Sequence, residues 1–244
     1  MNELFIKRIE IDKNLENLTY EAELPIVKTL KKTPLNFNSK VTFLTGENGS
    51  GKSTLLEALA IKCGFNAEGG SINFNFSTKN THSKLCGSLL VEKGVRKPKD
   101  GFFLRAESFY NAASYIDELE EELPGMYDSY GGHSLHACSH GESFLALCSN
   151  RFSPFGLYIL DEPEAALSVA KQLVLMGIIY ELAQEGAQFI IATHSVLLPA
   201  IPEAEVYEIK NGAIEKTDFD KTENYILMKR FINAPDRLLS FLKD

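Results

Sequence analysis

The run Gly46-Glu47-Asn48-Gly49-Ser50-Gly51-Lys52-Ser53 fits G-x-x-x-x-G-K-[ST], a spacing suited to holding phosphate. Its glycines let the backbone turn back on itself, so that consecutive N–H groups converge on phosphate oxygens. Lys52 adds a mobile positive charge for β- and γ-phosphates, and the Ser53 hydroxyl is placed to ligate Mg2+. Thr54 continues the run into the following helix. Residues 46–54 are therefore expected to bind a nucleoside triphosphate, with ATP and Mg2+ as the cofactors.

A second constellation ends the stretch Leu157-Tyr158-Ile159-Leu160-Asp161-Glu162, where an apolar strand runs into two carboxylates. Neighbours on a strand point to opposite sides. Asp161 is thus expected to reach the Mg2+ shell while Glu162 faces the γ-phosphate as base or orienter of the attacking water. His194 follows another apolar stretch, Ile191-Ala192-Thr193. Parallel strands deliver their C-terminal residues to one rim, where its imidazole is expected to bond the γ-phosphate or hold the lytic water. His133, His136 and His140 have spacings that could suit a metal, but the glycines around them fit a loop better.

These side chains require particular elements. Residues 3–12 alternate as an edge-like strand, and 41–45 form a β-branched strand feeding the glycine turn. Leu55, Leu56, Leu59 and Cys63 have helical spacing, with Gly64 as a stop. Alternating runs at 71–78 and 87–92 predict a small antiparallel subsheet, followed by a strand at 101–105. Residues 108–128 predict one or two helices, 129–141 a loop, and a further helix starts near Glu142. The nearly continuous apolar runs 157–160 and 189–192 suit central strands of a parallel sheet covered on both faces. A helix of about 18 residues centred on Leu173 and Met176 separates them, which is βαβ grammar. A hairpin around Asn211-Gly212 and a helix over 222–233 follow.

The length of 244 residues suits one α/β domain. No window approaches the roughly 18 consecutive apolar residues of a membrane span. The opening MNELFIKRIEIDKN is charged and alternating instead of leading into an apolar stretch, so no secretion signal is read and a cytoplasmic location is expected. A net charge of −8 disfavours a generally basic surface for nucleic acid. Cys63, Cys86, Cys138 and Cys148 form no C-x-x-C pair, which argues against a zinc site or disulfide framework and for small buried hydrophobes.

With these motifs in order, the chain resembles the ABC-type ATPases. The resemblance is to their stand-alone soluble branch, alongside the heads of chromosome-maintenance and double-strand-break-repair ATPases. Residues 46–54 resemble the first nucleotide motif, 157–162 the second, and His194 the switch histidine. Ser139-His140-Gly141-Glu142-Ser143 resembles the L-S-G-G-Q signature, with His140 and Glu142 as departures. The resemblance implies an α/β P-loop NTPase fold. Its mostly parallel core sheet carries a small antiparallel subsheet and a helical signature subdomain at 106–150, inserted in a single domain over 1–244. It also implies that Ser139 and Gly141 cap the γ-phosphate bound by a second copy, in an ATP-dependent head-to-tail homodimer. Glu164 to Ser168 resembles the loop through which the two copies sense each other, with Ser168 in place of the usual acidic residue. Glu107, in Arg105-Ala106-Glu107-Ser108, takes the place of the family's lid glutamine and is a candidate Mg2+ contact. Tyr20 is a candidate by position for stacking on adenine.

Three uses of the ATP cycle follow from these departures. A soluble repair- or defence-related ATPase is expected first, because the signature and lid depart from transporter form. A detachable ATPase subunit of a membrane transporter is the alternative. A slow ATP-gated module acting through an unidentified protein partner is the third.

Overall fold

The fold is described from a computed structural model covering residues 3–12, 20–71, 84–105 and 109–240. Among the described residues ten strands form two sheets. The smaller sheet is antiparallel and places β1 (Ile6–Ile11) between β2 (Leu35–Asn36) and β5 (Leu89–Lys93). The alternation over 3–12 thus belongs to the middle strand of this sheet and not to an edge. Its partners come from chain segments that local alternation cannot specify. β5 takes up the 87–92 run from Leu89 and extends to Lys93, while Gly87 and Ser88 end a short helix α3 (Leu85–Ser88); nearly all of 71–78 lies outside the described residues.

The larger sheet has the order β10-β9-β3-β8-β7-β6-β4. Its centre is parallel and consists of β3 (Val41–Gly46), β8 (Gln188–Ala192), β7 (Gly156–Asp161) and β6 (Asp100–Arg105). On one flank β9 (Glu205–Lys210) joins parallel to β3, and β10 (Ala213–Thr217) closes the hairpin at Asn211-Gly212. On the other, β4 (Gly70–Ser71) pairs antiparallel with β6.

The central strands are buried on both faces, which explains their unbroken apolar sequence. Successive side chains go to opposite cores. Leu44, Phe103, Leu157, Ile159 and Ile190 face one core, built with α1 (Pro25–Leu30), α2 (Lys52–Cys63) and the antiparallel sheet. Phe43, Phe102, Leu104, Tyr158, Leu160, Phe189 and Ile191 face the other, built with α4 (Phe109–Glu122), α5 (His140–Arg151) and α6 (Val169–Gln184). Each fully buried Leu, Ile or Phe contributes roughly 1.5–3 kcal/mol of transfer free energy. Gln188 links the two sheets, accepting from Phe5 N at 2.8 Å and Ile6 N at 2.9 Å and donating to Ile6 O at 2.9 Å.

α6 supplies the crossover between β7 and β8 over 16 residues. Its buried stripe is Leu175, Ile179 and Ala183, while Leu173, near the middle of the helix, is 55% exposed. Beyond β10, α7 (Glu223–Asn233) and α8 (Pro235–Leu238) bury no residue. Cys148 is fully buried, which pushes its thiol far above its ordinary range, and burial pushes Cys63 up to about 11. Among the described residues no helix is long and apolar enough to cross a membrane, and no group of three or more His, Cys, Asp or Glu side chains is arranged to hold a metal.

Candidate nucleotide site

β3, β7 and β8 lie side by side and end at the same rim, so the segments that follow them meet there. After β3 the chain turns through Gly46, Gly49 and Gly51, all at positive φ. At Gly46 the restriction is also one of space. A Cβ there would come 2.5 Å from the Ile209 carbonyl oxygen on β9. α2 then begins at Lys52, with Gly51 in the left-handed region as its N-cap. The N-terminal end of α2 therefore points its free N–H groups toward the turn, a setting that favours an anion.

Lys52 is folded onto this loop, donating Nζ to Gly46 O at 2.7 Å and Glu47 O at 2.9 Å. Burial pulls its pKa below the ordinary lysine value, against the opposing charges of Glu162, Asp161 and Glu164. One residue on, Ser53 Oγ donates to Asp161 Oδ1 at 3.0 Å, joining the start of α2 to the end of β7.

Glu162 leaves β7 in a left-handed conformation, φ 52° and ψ 52°, while its N–H still bonds Ala192 O on β8 at 2.9 Å. A non-glycine residue in that region carries strain of about 1–3 kcal/mol. The turn it forces ends the strand and leaves the carboxylate at the rim. His194 reaches the same place from β8, with Nε2 3.5 Å from Glu162 Oε1. That nitrogen is buried and makes no hydrogen bond among the described residues. Leu24, Asn48, Gly49, Gly51, Lys52, Ser53, Thr54, Glu162 and His194 line a common cleft of about 530 Å³. Glu47 and Ser50 face a neighbouring crevice between the loop and the β9–β10 hairpin.

Two family models match the chain. One described as "AAA domain" covers residues 26–98, which include the glycine loop. One described as "AAA domain, putative AbiEii toxin, Type IV TA system" covers 143–199, which include Asp161, Glu162 and His194. The chain is a P-loop ATPase domain of the ABC type. A "Putative ABC transporter ATP-binding protein" of Bacillus anthracis is 27% identical over 223 residues, covering 83% of this chain and 38% of that protein. The manganese transport system ATP-binding protein of Bacillus subtilis is 24% identical over 233 residues, 84% of this chain and 85% of that protein. The ATPase domain spans between 34% and 42% of the length of the first three curated relatives it matches. Its fold is similar to that of cbiO1 from Clostridium perfringens, part of the ABC transporter complex cbiONQ. The TM-score is 0.51 at 18% identity, covering 99% of this chain and 100% of that one.

Other residues singled out in the sequence of this ATPase lie away from the cleft. Ser139 is exposed at the N-terminus of α5, where Glu142 Oε2 accepts from its N–H at 3.1 Å and its hydroxyl at 2.5 Å. The Ser139 hydroxyl and N–H hold the Glu142 carboxyl below its usual range, with Lys171 adding a smaller effect. Gly141 is buried where α5 meets the turn after β7. Neither lines the cleft. Tyr20 is 63% exposed and does not line it either; Leu24, four residues later, does. Glu107 lies outside the described residues. His136 contacts Ser114 Oγ at 3.0 Å and the ring of Tyr110, and His133 contacts Cys138 Sγ at 3.1 Å.

Two neighbours of the cleft were not singled out from the sequence as site residues. Arg105, at the end of β6, pairs with Glu57 at 2.8 Å and lies 3.8 Å from Asp161 Oδ2. Glu164 Oε1 accepts from the backbone N–H groups of His194, at 2.6 Å, and Ser195, at 3.1 Å. The signal for Glu164 was a third carboxylate two residues beyond Glu162, on a turn that brings it back to the same rim.

Proposed function

We propose that this domain binds Mg2+–ATP in the cleft below residues 46–54 and hydrolyses it between two copies arranged head to tail. The observation that carries the proposal is the approach of His194 Nε2 to Glu162 Oε1, 3.5 Å, at the edge of a cleft lined by Lys52 and Ser53. The loop N–H groups and Lys52 hold the phosphates. Glu162 orients and deprotonates the attacking water, and the free Nε2 of His194 holds that water or the γ-phosphate. Ser53 Oγ and Asp161 Oδ1 are hard oxygen donors already 3.0 Å apart, a set that fits Mg2+. Bound there, the ion would offset charge on the phosphate oxygens. That Ser139 and Gly141 do not line this cleft supports a site completed by the second copy's signature.

For the process driven, the names of the relatives support coupling to a membrane transporter better than the repair or defence process favoured by the sequence. The manganese transport protein also has a length similar to that of this chain. A defence process draws support from the toxin–antitoxin description matched at 143–199.

Glu162→Gln keeps the nucleotide contacts and removes the base, so with saturating Mg2+–ATP light scattering is expected to show a trapped dimer. A monomer under those conditions overturns the paired arrangement. Capture of a membrane protein by the trapped dimer supports the transporter reading, and capture of nucleic acid in its place overturns it.

A further inference from the structure

The turn that leaves β7, Pro163–Ala166, carries the third carboxylate of this rim. We propose that Glu164 is a positioning residue that holds the backbone of His194 in place and ties it to the N-terminus of α5 within the same chain. This inference rests on the roles given above to His194 and Glu162.

The geometry on the His194 side is a two-donor clamp. The N–H groups of His194 and Ser195 are consecutive, and both aim at Glu164 Oε1, at 2.6 and 3.1 Å. Successive N–H groups on one oxygen form a concave anion seat, and an ionised acceptor makes such bonds shorter and stronger than neutral ones. With the peptide before His194 held this way, the imidazole leaves from a fixed point, 3.5 Å from Glu162. The other oxygen, Oε2, is buried and has no hydrogen-bond partner among the described residues. Burying a polar atom in that state is unfavourable, so the two bonds at Oε1 offset a real cost.

The opposite side of the same turn meets the signature segment. A Cβ on Gly141 would come 2.6 Å from Ala166 O, so the backbone of α5 packs directly on this turn. Gln172 on α6 braces the arrangement. It accepts from Ser195 Oγ at 2.7 Å and donates to Leu167 O at 3.3 Å. Gly141, Ala166, Glu164 and His194 thus form one contiguous path. A displacement of α5 when the second copy docks on Ser139 reaches His194 through Glu164. Ser168, where the resemblance expects an acid, caps α6 instead.

The test uses the whole chain, with Glu164→Ala, Glu164→Gln, Glu164→Asp and His194→Ala alone and the first combined with the last. Glu164→Ala is expected to lower kcat at least about tenfold with the affinity for Mg2+–ATP changed less than about threefold. Glu164→Gln keeps an oxygen that can take the Oε1 position, and it should recover most of the lost rate. Glu164→Asp keeps the charge but withdraws the oxygen by one methylene. It is expected to be impaired like the alanine variant and replaces it if that variant does not fold. Because Glu164 acts through His194, the double variant is expected to be no slower than His194→Ala. In 15N-histidine spectra the His194 imidazole resonance shifts in Glu164→Ala while the other histidines do not. Additive losses, a glutamine variant as slow as alanine, or an unmoved His194 resonance each overturn the proposal. If the wild-type chain does not hydrolyse ATP, the catalytic reading above fails, and the imidazole spectra still decide whether Glu164 positions His194.

Discussion

The Ser53 hydroxyl donates to Asp161 Oδ1 across 3.0 Å, joining the first turn of α2 to the last residue of β7. A hydroxyl can offer a lone pair to a cation while its proton stays on the carboxylate, so Ser53 and Asp161 are the residues that would hold Mg2+ here. Asp161→Asn removes the charged donor and leaves the loop intact. Calorimetric titration should find the affinity for Mg2+ in the presence of ATP weakened about tenfold or more, with metal-free ATP binding changed little. An unchanged Mg2+ requirement would remove Asp161 from the ion's surroundings.

Lys52 must exchange partners. Its ammonium is satisfied by Gly46 O and Glu47 O and would have to leave them to reach phosphate. Lys52→Ala is expected to weaken ATP binding by about a hundredfold, equivalent to roughly 2.7 kcal/mol. Because burial lowers the Lys52 pKa, ATP affinity should begin to fall at a lower pH than for a fully solvated lysine. The linkage for folding has the opposite sign. Between the lowered folded value and the ordinary 10.5, the unfolded chain binds more protons, so this group adds stability as pH rises through that window. Calorimetry across the alkaline range for the wild type and Lys52→Ala checks both.

Much of the rim was legible because each part is a local pattern. A strand, three glycines and a helix place Lys52 and Ser53, and two apolar strands place Asp161, Glu162 and His194, so a parallel sheet brings them together. Glu164 is legible as part of the loop between the copies, but its place at this rim is not, because its partners are backbone N–H groups 30 residues away, which have no sequence signature. β1 was misjudged as an edge for a related reason. Alternation reveals one buried face, but pairing with residues 35–36 and 89–93 depends on the tertiary fold. On α6, the nearly all-apolar run left the inward stripe ambiguous, and packing chose Leu175, Ile179 and Ala183.

The start of β6 is held by a partly buried ion pair that reports on stability and not on catalysis. Arg151 Nη1 donates to Asp100 Oδ2, and Ser153 Oγ donates to the same oxygen at 3.0 Å. Burial tends to raise the Asp100 pKa, but the hydrogen bond and charge of Arg151 override it and hold the carboxyl below its ordinary range. The contribution is therefore complete above the unfolded value and lost as pH falls through the folded one. Asp100→Asn should cost about 1.5–3 kcal/mol near neutral pH. In urea unfolding, the gap between wild type and variant is expected to narrow below about pH 4; a gap independent of pH would show that the charge contributes nothing.

Gly141 tests the pairing of two copies separately from nucleotide binding. It does not line the cleft, so Gly141→Ala replaces none of the side chains around ATP. The added methyl would stand 2.6 Å from Ala166 O and 3.3 Å from Lys171 Cδ. The lysine can swing aside, but the carbonyl belongs to a short turn and yields only if α5 or that turn moves. Either displacement shifts Ser139, at the tip of α5, from where a second copy's γ-phosphate would meet it. In the Glu162→Gln background, Gly141→Ala is therefore expected to bind ATP within about threefold of its parent while losing most of the trapped dimer, measured by calorimetry and light scattering. If the dimer persists at full strength, the second copy does not read the backbone at Gly141, and the head-to-tail site must be closed by other residues.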